Sequence, residues 1–330
     1  MAVITSIFIA IPWLNPFSAG PSPSVIPWLT ALVCTVASVA SVAASSFSQR
    51  ARVDGIGATA WLAAALLSAL VGVLQYFGTA FLFAPWVNSS TLGEAYANLR
   101  QRNQFASLTN IGLAALVWSV QRRAFAVPAP AKGPAPYTCA SHDARVAPAW
   151  VVSTATATAA AVLAIGNASS SSRTGLVQLV MLIALAAWWG GLRRREVRVP
   201  LAAGVLAYAL ASALLPLLAG LDPSSTGIMA RLQDGGPACA SRLTLWSNVL
   251  HLISLKPWLG WGWGELDFAH FTTLYAGPRF CEILDNAHNL PLHLAVELGI
   301  PVASLICGSG LWLVWRAKPW RESDATRQMA

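Results

Sequence analysis

Charge is what this sequence holds least of. Asp, Glu, Lys and Arg make up 10% of its 330 residues, where soluble domains average roughly 25%. That shortage excludes an ordinary water-soluble domain. Cysteine is scarce as well: five residues, no Cys-x-x-Cys pair, and no His-Glu-x-x-His either, so the familiar zinc spacings are missing. No glycine-rich phosphate loop, nucleophile elbow or dinucleotide fingerprint occurs. The opening apolar stretch VITSIFIAIPWL has no Lys or Arg before it and no small-residue cleavage site after it, which argues against a removed signal peptide. It is also shorter than the ~20 residues a full span needs.

What is present is apolar and repetitive. Hydrophobic residues make up 56% of the chain and its mean hydropathy is +0.58. Apolar runs recur at about 25–47, 56–83, 105–120, 148–165, 175–192, 199–219 and 300–315, separated by short polar or Pro/Gly/Ser-rich stretches. This pattern predicts an all-α, polytopic transmembrane helix bundle of seven or eight spans. Residues 1–219 would be the N-terminal membrane helices, 220–299 a long outer loop with short amphipathic helices, and 300–330 a last span with its tail. The net charge of +8 is explained by topology, not by nucleic-acid binding. With alternating loops, 14 of the 21 Lys and Arg fall on one side, among them Arg50, Arg52, Lys132, Arg145 and the tight RRREVR loop at 193–198. The positive-inside bias puts that side in the cytoplasm and the 220–299 segment outside. The spans as drawn contain no Asp, Glu, Lys, Arg or His, which counts against an ion-coupled transporter.

Chemistry therefore belongs in the outer segment. It holds His251, His270, His288 and His293, and also Cys239 and Cys281; the oxidising compartment predicts that these two cysteines pair. Cys139 falls in an inner loop. SRLTLWSNVLHLIS reads as an amphipathic helix with Leu243, Trp246, Leu250 and Ile253 at helical spacing. Trp246, Trp258, Trp261 and Trp263 suit the membrane interface. DNAHNLPLHLAVELGIP, 285–301, places His288 and Asn289 at a helix start, with Pro291 in the first turn and Gly299 and Pro301 as stop signals. Arg242 can pair with a phosphate or simply meet lipid headgroups. His288 can act as a general base or simply cap or pack. The helix start after Asn289 offers N–H groups to an anion. His288, His293 and Glu297 lack any established metal signature, and we expect no metal or cofactor.

PWLGWGWG, AHNLPLHLAVELGIP and the upstream SRLTLW, with NLRQRNQF (98–105) and SSSSRTG (169–175), together resemble the O-antigen ligase and polymerase family of bacterial inner-membrane glycan transferases. The Arg-Gln-x-Asn-Gln pattern is most similar to the branch that glycosylates pilins and other proteins. The resemblance implies a metal-independent transferase, with its site on the periplasmic face of the inner membrane. Its donor would be a glycan on undecaprenyl diphosphate. Its acceptor would be a protein hydroxyl (pilin-like) or a lipid A core sugar. By that resemblance His288 serves the acceptor hydroxyl, Arg242 and Arg173 hold the diphosphate, and Gln101, Gln104, Asn289 and Lys256 help bind substrate. The alternatives are a repeat-unit polymerase, a non-catalytic transporter or an inactive fragment, since the family pattern continues with further spans where this chain stops.

Overall fold

The computed structural model describes residues 2–18, 25–46, 53–99, 101–126, 148–233 and 238–317. The basic residues Arg50, Arg52, Lys132, Arg145, Lys318, Arg321 and Arg327, and Cys139, lie outside them. Among the described residues there are twelve α-helices and no strand. The chain divides into two compact units, one ending at Gln233 and one built from 238–317.

The first unit contains α1 (Ala2–Leu14), α2 (Val25–Ala43), α3 (Val53–Tyr76), α4 (Arg102–Ala126), α5 (Ala149–Ser169), α6 (Arg173–Trp188), α7 (Arg195–Leu218) and α8 (Gly227–Gln233). By length and composition α3, α5 and α7 can cross a membrane; α1, α2 and α6, and α12 of the second unit, are apolar but shorter. This is a membrane protein. The helix α4 differs from a simple span. It is 25 residues long but carries Asn103, Ser107, Thr109, Asn110 and Gln121, and it packs against α3, α5, α6 and α7. Polar groups are tolerated there because neighbouring helices, not lipid, surround them. Asn110 Nδ2 donates to the Gly175 carbonyl at 3.0 Å, and Gln178 Nε2 to Ser107 Oγ at 2.9 Å.

Small residues let these helices approach closely, since apolar lipid gives little driving force of its own. A Cβ on Gly112 would collide with Ala65, and one on Gly166 with Ala69. Around that seam Phe105, Leu108, Leu163 and Val197 are fully buried. The serine run before α6 is buried from Ser169 to Ser172. Three of its four hydroxyls are absorbed locally: Ser169 and Ser170 donate to the Gly166 and Asn167 carbonyls, and Ser172 Oγ donates to Asn103 Oδ1 at 2.7 Å while accepting from the Gly175 N–H; Ser171 Oγ has no partner among the described residues.

The second unit contains α9 (Arg242–Leu255), α10 (Leu266–Thr272), α11 (Leu290–Leu298) and α12 (Ile300–Ala317). Leu245, Val249, Leu252, Leu266, Phe280, Leu284 and Val296 form its core. The helix predicted over SRLTLWSNVLHLIS is present, and its predicted apolar face divides: Ile253 and Trp246 pack into the core, but the other two residues do not. Leu243 and Leu250 are exposed, while Leu245, Asn248, Val249 and Leu252 face inward. Apolar residues lie all round this helix, so spacing alone does not choose the face; packing against α10 and α11 does. The four tryptophans also divide. Trp246 and Trp261 pack on the core and donate to the Ala287 and Leu252 carbonyls, while Trp258 and Trp263 are exposed.

Candidate active site

The stretch from 285 to 301 builds the site from local rules. Asn286 Oδ1 accepts from the His288 N–H at 2.8 Å, closing a side-chain turn. That turn holds His288 at φ +50°, a left-handed conformation that costs a non-glycine residue energy and concentrates at functional positions. Asn289 then caps α11, its side chain accepting from the Leu292 N–H at 3.3 Å, with Pro291 in the first turn. At the other end Gly299 has φ +84°, and α12 starts at the next residue, so the expected stop is followed at once by a restart.

The Trp/Gly loop explains itself at that stop. Trp261 and Gly262 N–H donate to the Val296 and Glu297 carbonyls at 2.8 and 3.0 Å, and Ile300 N–H donates to the Pro257 carbonyl at 2.8 Å. Carbonyls left over at the end of α11 are thereby satisfied. A Cβ on Gly260 would strike the Glu297 backbone, and one on Gly299 the Trp258 carbonyl. GWGWG and ELG are two halves of one backbone clasp.

Arg242 and His288 come together. Arg242 opens α9 behind its Ser241 cap, and one turn later Trp246 Nε1 donates at 3.0 Å to the carbonyl of Ala287, the residue before His288. Among the described residues no carboxylate lies in ion-pair range of Arg242. His288 stands at the surface with enough protein round its ring to disfavour the charged form. That burial, then the Arg242 guanidinium, holds it below its ordinary value near 6.5, against the pull of Asp285 and Glu282. The His288 imidazole is therefore neutral at physiological pH. Glu297 is buried, which raises it above the usual carboxylate range; His293, 3.7 Å away, pulls it back. Among the described residues no three His, Cys, Asp or Glu side chains converge in a metal-binding arrangement.

Cys239 and Cys281 form a disulfide with Cα atoms 5.4 Å apart. It ties the entry of α9 to the segment leading towards His288. Lys256 is placed elsewhere. It lies at the far end of α9, roughly 20 Å from Arg242 by helix rise, with Nζ 4.0 Å from the Trp261 ring centroid. Gln101, Gln104 and Arg173 belong to the first unit. Gln101 and Gln104 flank Asn103 at the start of α4, and the Asn103–Ser172 hydrogen bond brings Arg173, first residue of α6, to the same end.

Three supporting residues escape a sequence reading. Gln75, fully buried, donates to the Asn88 and Ala97 carbonyls and accepts from the Tyr96 and Ala97 N–H groups, all within 3.0 Å. It anchors the loop that leads to Gln101. Asn248 clamps the chain before Cys281, donating to the Pro278 carbonyl and accepting from the Phe280 N–H. His270 must carry its proton on Nε2, which faces the Phe280 carbonyl, while Nδ1 meets the Tyr275 hydroxyl at 2.8 Å. Burial lowers His270 and pushes Tyr275 up to about 12. A single polar residue in an apolar run was the signal for Gln75.

The O-antigen ligase family matches this chain over residues 158–307. That range spans Arg173, Arg242, His288 and the whole clasp. The protein glycosylation ligase family matches residues 95–118, which include Gln101 and Gln104. By these two matches the chain is similar to the O-antigen ligase and protein glycosylation ligase families. No curated protein and no solved structure matches it. Ligases of these families transfer glycans onto acceptors, and both clusters of predicted site residues fall inside matched regions.

Proposed function

We propose that the chain transfers a glycan from undecaprenyl diphosphate to an acceptor hydroxyl at the periplasmic face of the bacterial inner membrane. The observation that carries this reading is the pair of Arg242, without a carboxylate partner, and neutral His288 at the adjoining starts of α9 and α11. His288 accepts the proton of the acceptor hydroxyl. The acceptor oxygen bonds to the anomeric carbon as the bond from that carbon to the diphosphate oxygen breaks. Undecaprenyl diphosphate leaves with the electron pair, and Arg242, with the N–H groups at the α9 start and that of Leu290, stabilises its growing charge. His288 then returns its proton to water. Lipid diphosphate is a good leaving group, so no nucleotide is required. Gln101, Gln104 and Arg173, gathered at one end of the first unit, are proposed to help bind substrate, as is Asn289 at the α11 start. Lys256 is proposed to meet substrate or lipid headgroups from the far end of α9.

The test is transfer in a ligase-deficient bacterium that accumulates lipid-linked glycan. The parent chain should label protein or lipid A core. At equal membrane levels His288→Ala should lose about 10²–10⁴-fold of the rate and Arg242→Ala about 10²–10³-fold. Unchanged transfer by both variants would refute the reading.

A further inference from the structure

Arg242 and His288 stand on separate segments, and neither helix start fixes where the other lies. Trp246 bridges them: its Nε1 donates to the Ala287 carbonyl at 3.0 Å. Trp246 follows Arg242 by four residues, one helical turn along the same face of α9. Long side chains on a helix lean towards its N-terminus, so the indole reaches back beside the turn that Arg242 opens. The Ala287 carbonyl and the His288 N–H belong to one peptide unit. Trp246 holds its oxygen, and Asn286 Oδ1 holds its N–H at 2.8 Å. A planar peptide gripped at both polar ends resists rocking, and its plane sets the φ of the residue that follows. That residue is His288, at φ +50°, a conformation that persists only where its surroundings over-determine it. Ala287 is itself fully buried in the core of the second unit, which gives the grip a firm base.

We infer that Trp246 is a positioning residue for transfer: its N–H locks the Ala287–His288 peptide and so keeps the imidazole beside the Arg242 guanidinium. The inference rests on the transfer reading above and deepens it. A membrane-anchoring role, which the sequence suggests for this side chain, would turn the N–H towards headgroups. Here the N–H is spent on a backbone carbonyl next to the reacting residue, and the ring packs on the core. A packing role would need the ring but not the N–H. Without the N–H the Ala287 carbonyl loses this donor and the peptide can turn. His288 then relaxes out of the left-handed region and its ring moves. A misplacement of about 1 Å can cost ~10²-fold in rate. As the guanidinium recedes, one of the influences that keep His288 neutral also weakens.

The experiment uses the full chain in nanodiscs, with lipid-linked glycan as donor and both purified pilin and rough-type lipopolysaccharide supplied as acceptors. Two changes separate ring from N–H. One puts 3-benzothienylalanine in place of Trp246, keeping the size of the side chain with sulfur where the N–H stood; the other is Trp246→Phe. Both proteins should reach parental membrane levels with the Cys239–Cys281 bond formed. Both should lose about tenfold to a hundredfold in kcat, with the KM for donor little changed. Deuterium exchange at the imidazole C2 position, read by mass spectrometry of the peptide bearing His288, gives its titration midpoint without any need for transfer. That midpoint should move upward in both proteins, and the acid limb of kcat/KM with it. Parental kcat in the benzothienylalanine protein, while His288→Ala is inactive, would overturn the inference alone. So would a lowered kcat with the His288 midpoint unmoved, or loss of membrane level or disulfide in the benzothienylalanine protein, since each marks a purely structural role. If His288→Ala itself transfers at the parental rate, the transfer reading fails and takes this role with it.

Discussion

His288 combines strain with an environment that suppresses its charge. Burial and the Arg242 guanidinium both disfavour the imidazolium, so proton binding is weaker in the folded chain than in the unfolded one. Two consequences follow with the same sign. The acid limb of transfer should fall below pH 6.5, and Arg242→Gln, by removing one repelling charge, should move that limb upward in whatever activity remains. A pH–rate profile of kcat/KM checks both. Stability should likewise decline as pH drops from about 6.5 through the lowered folded value, because the unfolded chain takes up the proton first. Gln75 carries a different load. Gln75→Leu strands two carbonyls and two N–H groups of the 88–97 loop, and each buried orphan costs about 1–3 kcal/mol. The expected outcome is faster proteolysis within that loop and weaker substrate binding, with His288 untouched.

At the scale of elements, the clasp of 257–262 on 296–300 sets where α11 ends and α12 begins. Its tolerance is small. Gly299 has positive φ and faces the Trp258 carbonyl, so Gly299→Ala should destabilise the second unit by on the order of 2 kcal/mol. Thermal unfolding in detergent measures this. A neutral result would mean the clasp opens easily. The same elements show what periodicity does and does not yield. α11 follows its signals residue by residue, because Asn289, Pro291 and Gly299 act through local backbone chemistry. α9 was legible as a helix but only partly in its inward face, because Leu243, Leu245, Val249 and Leu250 are equally apolar and only neighbours choose among them. The Ser169–Ser172 run is polar yet buried, because three of its four hydroxyls bond to nearby backbone or to Asn103, which offsets most of the cost of burial.

For the whole molecule, the disulfide is the main long-range covalent restraint among the described residues. It closes a sequence separation of 42, worth roughly 4 kcal/mol by chain entropy. Cys281→Ser, or reduction of the parent, should lower the melting temperature and loosen the approach of Arg242 to His288, so transfer should drop before the protein leaves the membrane. A gel-shift assay for free thiols beside a transfer blot resolves the order of events.

Membrane character and helical class, and the candidates His288 and Arg242, were determined by the sequence alone. These depend on composition, on charge distribution and on short-range signals that need no partner. Tertiary structure alone decided that Gln75 and Asn248 hold loops, that two of four tryptophans turn inward, that Lys256 stands apart from Arg242, and that α4 keeps its polar groups among helices. Each of those outcomes turns on which distant residue supplies a hydrogen bond or a packing surface. That information lies in the meeting of segments, not in any one of them.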